Sequence, residues 1–330
     1  MNSLFHTRRS MIASSALGLS AIALASPVAG LLQSRTTPAI RIEDFGGRGM
    51  KGHDNGPALR LALAYAASRG AAVRLGAGTY EIASGPLLRD GAIRRPAGVA
   101  LIGEGRQATT IRVTGRSIIN QLFDARDSHA VLTRDIHFIG NGVRDDTAPY
   151  AGALMIALLG ENSSRDMTDI YFENCDIENF ASAAWLHVEN HSARHAIRGC
   201  GSRGCNWISR PGTSPAAGDI TVPGHFIYFF GYRGLIENIV VDDYLMDAAH
   251  IKGGVGVVGN VSGGRIHIRD LRDAGQGIAH VPSGPDGPGS YALFFYQTGA
   301  GAPRGLTVEV DRLANPYSVG IYSAGAKASR

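Results

Sequence analysis

Residues 40–84 read "IRIEDFGGRGMKGHDNGPALRLALAYAASRGAAVRLGAGTYEIAS", and the fold turns on them. Ile40–Ile42 predicts a short strand that leads into a glycine-rich loop. From Pro57 to Arg69 the residues Leu59, Leu61, Leu63 and Ala66 carry helical spacing, with Pro57 near the start and Gly70 past the end. Val73–Leu75 and Tyr80–Ile82 then predict strands on either side of Gly76-Ala77-Gly78. Gly47, Gly49 and Gly52 match a dinucleotide-binding spacing. No βαβ unit with a suitably placed acid follows, so these glycines are read as loop residues.

Asp44, Phe45, Gly46, Asp54, Gly78, Tyr80 and Ile82 fall on a known pattern of loop, helix and hairpin. The stretch resembles the amino-terminal cap of the pectate-lyase-superfamily β-helix proteins. Asn55 stands where that family has a second aspartate, and Gly76-Ala77 where it usually has a proline. The resemblance implies an all-β chain: a single-stranded right-handed parallel β-helix, or solenoid, with a short N-terminal capping helix. It does not fix a reaction, because these β-helices host lyases, hydrolases and epimerases.

The rest of the chain repeats. One set of short apolar segments is "LMIA" (154–157), "AWLHV" (184–188), "NWISR" (206–210), "FIYFF" (226–230), "HIKGG" (250–254), "IAHVP" (278–282) and "GIYSA" (320–324). A second set is "RDIHFIG", "TDIYFENC", "HAIRGC", "IENIVVDD" and "RIHIRDL". Both recur at irregular intervals of roughly twenty to thirty residues, the range of a solenoid coil. A coil cannot close a core alone and stacks on its neighbours. A β-sandwich is the structural alternative. The domain division is thus 1–29 as a signal peptide, 30–94 as the cap and 95–330 as the parallel β-helix.

Side chains alternate in and out along a strand, and stacked strands lie about 4.8 Å apart. Aligning the first set on Leu186, Ile208, Ile227, Ile251 and Ala279 as inward residues leaves two outward columns. One holds Trp185, Trp207, Phe226, His250 and Ile278; the other holds His187, Ser209, Tyr228, Lys252 and His280. The two tryptophans are the only ones in the chain and suit the apolar face of a sugar ring or the underside of a long loop. Lys252 is one of three lysines among 32 basic residues, and the only one away from the ends of the mature chain.

A uronate-cleaving lyase must neutralise a carboxylate, remove the neighbouring proton and protonate a leaving oxygen. Lys252, His250, Tyr228 and His187 supply groups for those steps. Trp185, Trp207, Ser209, Arg210, Glu189 and His280 would line the substrate path. A glycosidase needs two carboxylic acids instead, and Glu189 alone keeps the outward parity cleanly. The leading expectation is therefore β-elimination on an acidic polysaccharide. The alternatives are a hydrolase of the same fold, a uronate epimerase and a non-catalytic carbohydrate-binding envelope protein.

Composition bounds the rest. With 44 glycines and 18% charged residues the chain is unlike a helical bundle. Its net charge of +4 and scattered basic residues give no nucleic-acid footprint. The segment "HTRRSMIASSALGLSAIALASPVAG" has a basic start, an apolar run and a small-residue end, the architecture of an export signal. Arg8 and Arg9 resemble the twin-arginine pattern, and cleavage would follow Ala25 or Ala29. The expected location is periplasmic or secreted, with the membrane met only during export. Cys175, Cys200 and Cys205 are an odd set without metal spacing and are read as buried thiols. No cofactor is expected. Asp242, Asp243 and Asp247 offer oxygen ligands for Ca²⁺, an ion some related lyases use, or act as turn residues. His187, His191 and His195 have a helical metal spacing on a segment that reads as strand and turn, so no zinc is expected.

Overall fold

The computed structural model describes residues 39–83, 99–114, 121–124, 129–141, 153–157, 167–180, 186–189, 192–206, 225–250, 253–273, 291–314 and 319–324. The chain winds into coils, and the strands of successive coils pair in parallel to form three sheets. Sheet A begins with Ala39–Arg41, Ala72–Arg74, Val99–Ile102, His129–Arg134 and Met167–Glu173. It continues through Ala196–Arg198, 236–242, 261–268 and Arg304–Val310. Sheet B begins with Gly78–Ile82, Thr109–Val113, His137–Ile139, Asp176–Glu178 and Gly201–Asn206. Sheet C stacks Gln121–Asp124, Ala153–Ala157, Leu186–Glu189, 225–231, 253–259, Tyr291–Tyr296 and Val319–Ala324. The extended run His225–His250 passes through all three sheets of one coil, and Gly253–Asp273 through all three of the next.

The core is the set of inward columns. In sheet A, Ile40, Val73, Leu101, Thr133, Phe172, Ile197, Val241 and Ile266 stack in register, all of them buried. In sheet C, the buried Ile227 pairs with Val255 and Val255 with Leu293. Burying each such Val, Leu, Ile or Phe contributes about 1.5–3 kcal/mol. Thus each coil depends on the one beneath it.

The corner from A to B is the tight one. Asp135, Asn174, Gly199 and Asp243 take left-handed backbone there, with φ of 61°, 50°, 56° and 51°. Each is followed by a buried side chain: Ile136, Cys175, Cys200 and Tyr244. The corner amides bond coil to coil, Asp135 N–H to Glu173 O (3.1 Å), Asn174 N–H to Arg198 O (2.9 Å) and Gly199 N–H to Asp242 O (3.0 Å). Asn, Asp and Gly tolerate this conformation better than other residues. Cys175 and Cys200 are the buried thiols expected. They donate to Glu173 O (3.3 Å) and Arg198 O (3.2 Å), and burial pushes the Cys175 thiol well up.

The cap follows the sequence reading with small shifts. Helix α1 spans Gly56–Ala67. It buries Leu59, Ala62, Leu63 and Ala66, and Leu61 faces solvent at 60% exposure. The strand at Ala39–Arg41 gives way to a 3-10 turn over Ile42–Phe45. The expected hairpin is not a hairpin: Ala72–Arg74 joins sheet A and Gly78–Ile82 joins sheet B, each pairing in parallel. The sheets therefore already run through the segment read as the cap. Asn55 is fully buried and ties this region together. Its Oδ1 accepts from Arg48 N–H (2.7 Å), and its Nδ2 donates to His53 O (2.9 Å). Gly78 has φ of 144° and lies so close to Gly49 that a Cβ would stand 2.5 Å from Gly49 O. Residues 1–29 lie outside the described residues.

Candidate functional site

Sheet C brings part of the expected column into register. His187 and Tyr228 are direct register partners on adjacent coils, as Leu186 and Ile227 are beside them. Beyond Tyr228 the alignment departs from expectation, because the next partner is Gly256, followed by Phe294 and Tyr322. Before His187 the partner is Ile156. His250 is not in sheet C: it ends the sheet B strand and pairs with Asn206. Glu189 closes its sheet C strand opposite Phe230.

Trp185, Trp207, Ser209, Arg210, Lys252 and His280 lie outside the described residues. The strands that Trp185 and Trp207 adjoin belong to different sheets, since Leu186 is in C and Asn206 is in B. The reason for the difference is the irregular length of the connections. Segments 207–224 and 274–290 separate sheet B from sheet C, while only Ile251 and Lys252 separate His250 from Gly253. An alignment by local resemblance misplaces the register whenever that length changes.

The outward face of sheet B holds a second cluster, which the sequence reading did not single out. Thr110, His137, Asp176, Gly201 and Leu245 are register partners on five consecutive coils. Above them the 103–108 connection projects Arg106. Its Nη1 donates to Asp176 Oδ1 (3.2 Å) and to Gly199 O (3.1 Å). Together these residues line a cavity of about 380 Å³. His137 Nε2 sits 3.3 Å from Glu178 Oε2. Behind the floor, the buried Tyr244 hydroxyl donates to Ser202 Oγ (3.0 Å). Asp176 and Glu178 are two apart on one strand, so they share a face with Cα atoms about 6.6 Å apart. Each is engaged by a basic side chain, whereas glycoside hydrolysis needs one carboxyl to carry a proton. The arrangement is suited to binding. A signal for it existed in the sequence: "NCDIEN" and "GCGSRG" place Cys175 and Cys200 at the same coil position, which fixes the register of Asp176 on Gly201.

Sheet A contributes charge on its outward side and a buried cluster at a kink. Asp242 lies 3.2 Å from His267 Nδ1 and 3.6 Å from Arg265, while Arg269 reaches Asp243 at 3.1 Å. Asp242 and Asp243 are thus partnered by basic groups, and among the described residues no cluster of metal-ligating side chains occurs. Hydrogen bonds that the His267 ring donates to Asp311 and Asp242 push its pKa up. At the kink, Ala130, Asp169, Arg194 and Asn238 occupy matching positions with φ between 52° and 62°. Arg194 grips the fully buried Asp169 carboxylate through two bonds, 2.9 and 2.6 Å, and Tyr171 donates to it at 3.1 Å. The next residue, His195, is fully buried with neither ring nitrogen hydrogen-bonded. Burial drives its pKa down to about 3.

No protein-family model and no curated protein matches the chain. Solved structures do. PfbA, a surface adhesin of Streptococcus pneumoniae, is similar with a TM-score of 0.51 at 11% identity, over 86% of this chain and 82% of its own. The fold is that of the parallel β-helix proteins. The A-module of the mannuronan C-5 epimerase AlgE6 of Azotobacter vinelandii is similar with a TM-score of 0.42 at 15% identity, over 87% of this chain and 98% of its own. ORF18 of Geobacillus virus E2 has a TM-score of 0.45 at 15% identity over 82% of this chain. This β-helix spans about half of that protein, 48%.

Proposed function

We propose that the chain is an exported β-helix enzyme that cleaves an acidic, uronate-containing polysaccharide by β-elimination at the outward face of sheet C. The observation that carries this reading is the register pairing of His187 with Tyr228. The two residues lie on adjacent coils; the long connection 207–224 leads into the Tyr228 strand, and 274–290 enters sheet C two strands further on. Long connections on a rigid scaffold are where binding and catalytic residues concentrate. Lys252 and His250 fall at the neighbouring B-to-C connection.

In this reading Lys252 neutralises the uronate carboxylate. A histidine or tyrosine takes the proton next to that carboxylate, the electron pair forms the carbon–carbon double bond, and the glycosidic oxygen leaves with a proton. Arg210 and the tryptophans would hold the chain of sugars. Among proteins of this fold there are both an epimerase and an adhesin, so the fold does not choose between catalysis and binding.

The test is a screen of anionic polysaccharides against the exported protein, read by ultraviolet absorbance and by chain length. Absorbance with shortening supports the lyase. New reducing ends without absorbance mean hydrolysis, solvent deuterium at the uronate carbon without cleavage means epimerisation, and retention without turnover means a binding protein. On a cleaved substrate, His187→Ala should lower turnover by about 100-fold if it moves a proton, and Lys252→Ala should lower turnover by leaving the uronate charge unbalanced. Rescue of Lys252→Ala by Lys252→Arg assigns the lysine to charge neutralisation, since arginine stays protonated. The exported protein should begin near Ser26 or Gly30, and an intact Met1 counts against the signal assignment.

A further inference from the structure

The cavity on sheet B lies on a different face from the proposed reaction site and does not depend on it. Its floor is the outward column Thr110, His137, Asp176, Gly201 and Leu245, which at about 4.8 Å per coil runs about 19 Å. The Arg106 connection overhangs this floor and is anchored at its far side on Asp176 and Gly199 O. Gly201 is needed for that floor, because a Cβ there would stand 2.8 Å from Asp176 Oδ1. The volume of about 380 Å³ is at the lower end of small-ligand sites, about 300–1,000 Å³.

The chemistry selects the ligand class. Arg106 and Asp176 compensate each other at 3.2 Å, and Glu178 adds a further carboxylate beside His137. A uronate would meet two carboxylates, and a cation would meet Arg106. A neutral polyol meets neither penalty. The guanidinium has five N–H donors and the carboxylate about four acceptor sites, so their mutual bond leaves both able to bind hydroxyls. The Gln107 amide and the Thr110 hydroxyl line the same space and form no side-chain hydrogen bond among the described residues. Leu245 and the bare Gly201 provide an apolar strip for the C–H face of a ring.

We propose that this cavity is a second carbohydrate site that binds a neutral sugar residue through Arg106, Asp176, Gln107 and Thr110. Saturation-transfer NMR on the full chain, with cellobiose and maltose as neutral probes and digalacturonate as the acidic one, tests it. Transfer to a neutral probe is expected. Gln107→Ala combined with Thr110→Val should raise its Kd by at least about tenfold, the loss expected for two hydrogen bonds at about 1 kcal/mol each. The melting temperature should stay unchanged, because neither side chain supports the fold. No transfer to either neutral probe, transfer only to digalacturonate, or an unchanged Kd in the double variant overturns the assignment. The readout needs no turnover, so it stands or falls separately from the lyase reading.

Discussion

Acid should unfold this protein through His195. Parallel pairing on both sides sets His195 in line with Ile170 and Ile239, both fully buried, and the ring has no hydrogen-bond partner. The charges nearest to it, Asp169 and Arg194, neutralise one another and act on it in opposite directions. Desolvation therefore dominates, and the folded pKa falls to about 3. The sign follows. Between about pH 3 and the unfolded value near 6.5 the unfolded chain binds a proton that the folded chain does not, so stability falls as pH falls. The slope approaches about 1.4 kcal/mol per pH unit, and the loss between pH 7.5 and pH 5 comes to about 2 kcal/mol. That is a large part of a typical total of about 5–15 kcal/mol.

Urea unfolding of the wild type and of His195→Leu at both pH values isolates the effect, because all other titrations are shared. At pH 7.5 the variant should be equal in stability or gain about 1–3 kcal/mol, since it removes unsatisfied buried nitrogens and fits an apolar stack. At pH 5 its advantage should widen by about 2 kcal/mol. His195→Gln should flatten the slope equally without the gain at neutral pH. A difference between wild type and His195→Leu that is the same at both pH values would refute the reasoning.

Arg194→Met removes the cation that balances the buried Asp169 carboxylate, and should lower unfolding free energy by about 3–5 kcal/mol in the same urea assay. Gly78→Ala forces a side chain into positive φ and against Gly49 O, and should cost about 2–4 kcal/mol, read as a lower melting temperature. Tyr244→Phe removes one buried hydrogen bond to Ser202 and should cost about 1–2 kcal/mol. His267, with its pKa raised by Asp311 and Asp242, should act opposite to His195: its stabilising contribution is complete below pH 6.5 and disappears as pH rises through the folded value. NMR titration of its ring, compared with Asp311→Asn, should show the pKa falling in the variant.

The cap was legible because its signals are local. A proline, a helical run and a terminal glycine fix α1 without reference to the rest of the chain. Leu61 was misread because alternate leucines resemble a stripe, while the buried positions 59, 62, 63 and 66 follow the helical period. The repeats were legible as a class, and "FIYFF" and "AWLHV" were set in true register. "HIKGG" and "NWISR" were not, because Lys252 and Trp207 adjoin the ends of strands. The actual partner of "FIYFF", "GVGVVGN" from 254 to 260, is built of glycine and valine and looks unlike it. Sheet B's cluster escaped because Arg106 and Asp176 are far apart in sequence and meet only through coil stacking.

The same physics explains why the site is harder to read than the fold. The A-to-B corner is a single left-handed residue between two buried columns, and its amides already bond to the adjacent coil. An inserted residue there would break the stacking above and below it, so the corner repeats: Asp135-Ile136, Asn174-Cys175, Gly199-Cys200, Asp243-Tyr244. The connections into sheet C differ in length from coil to coil. They range from Ile251 and Lys252 alone to the whole of 207–224. Loop closure penalises added length only slowly, by about 0.6 kcal/mol per doubling. Groups that recognise a substrate can therefore accumulate beside sheet C at little cost in stability. The freedom that admits them also removes the fixed spacing by which a repeat is recognised. His187 and Tyr228 could be paired from sequence because they lie on strands, whereas Lys252 could not because it lies between them.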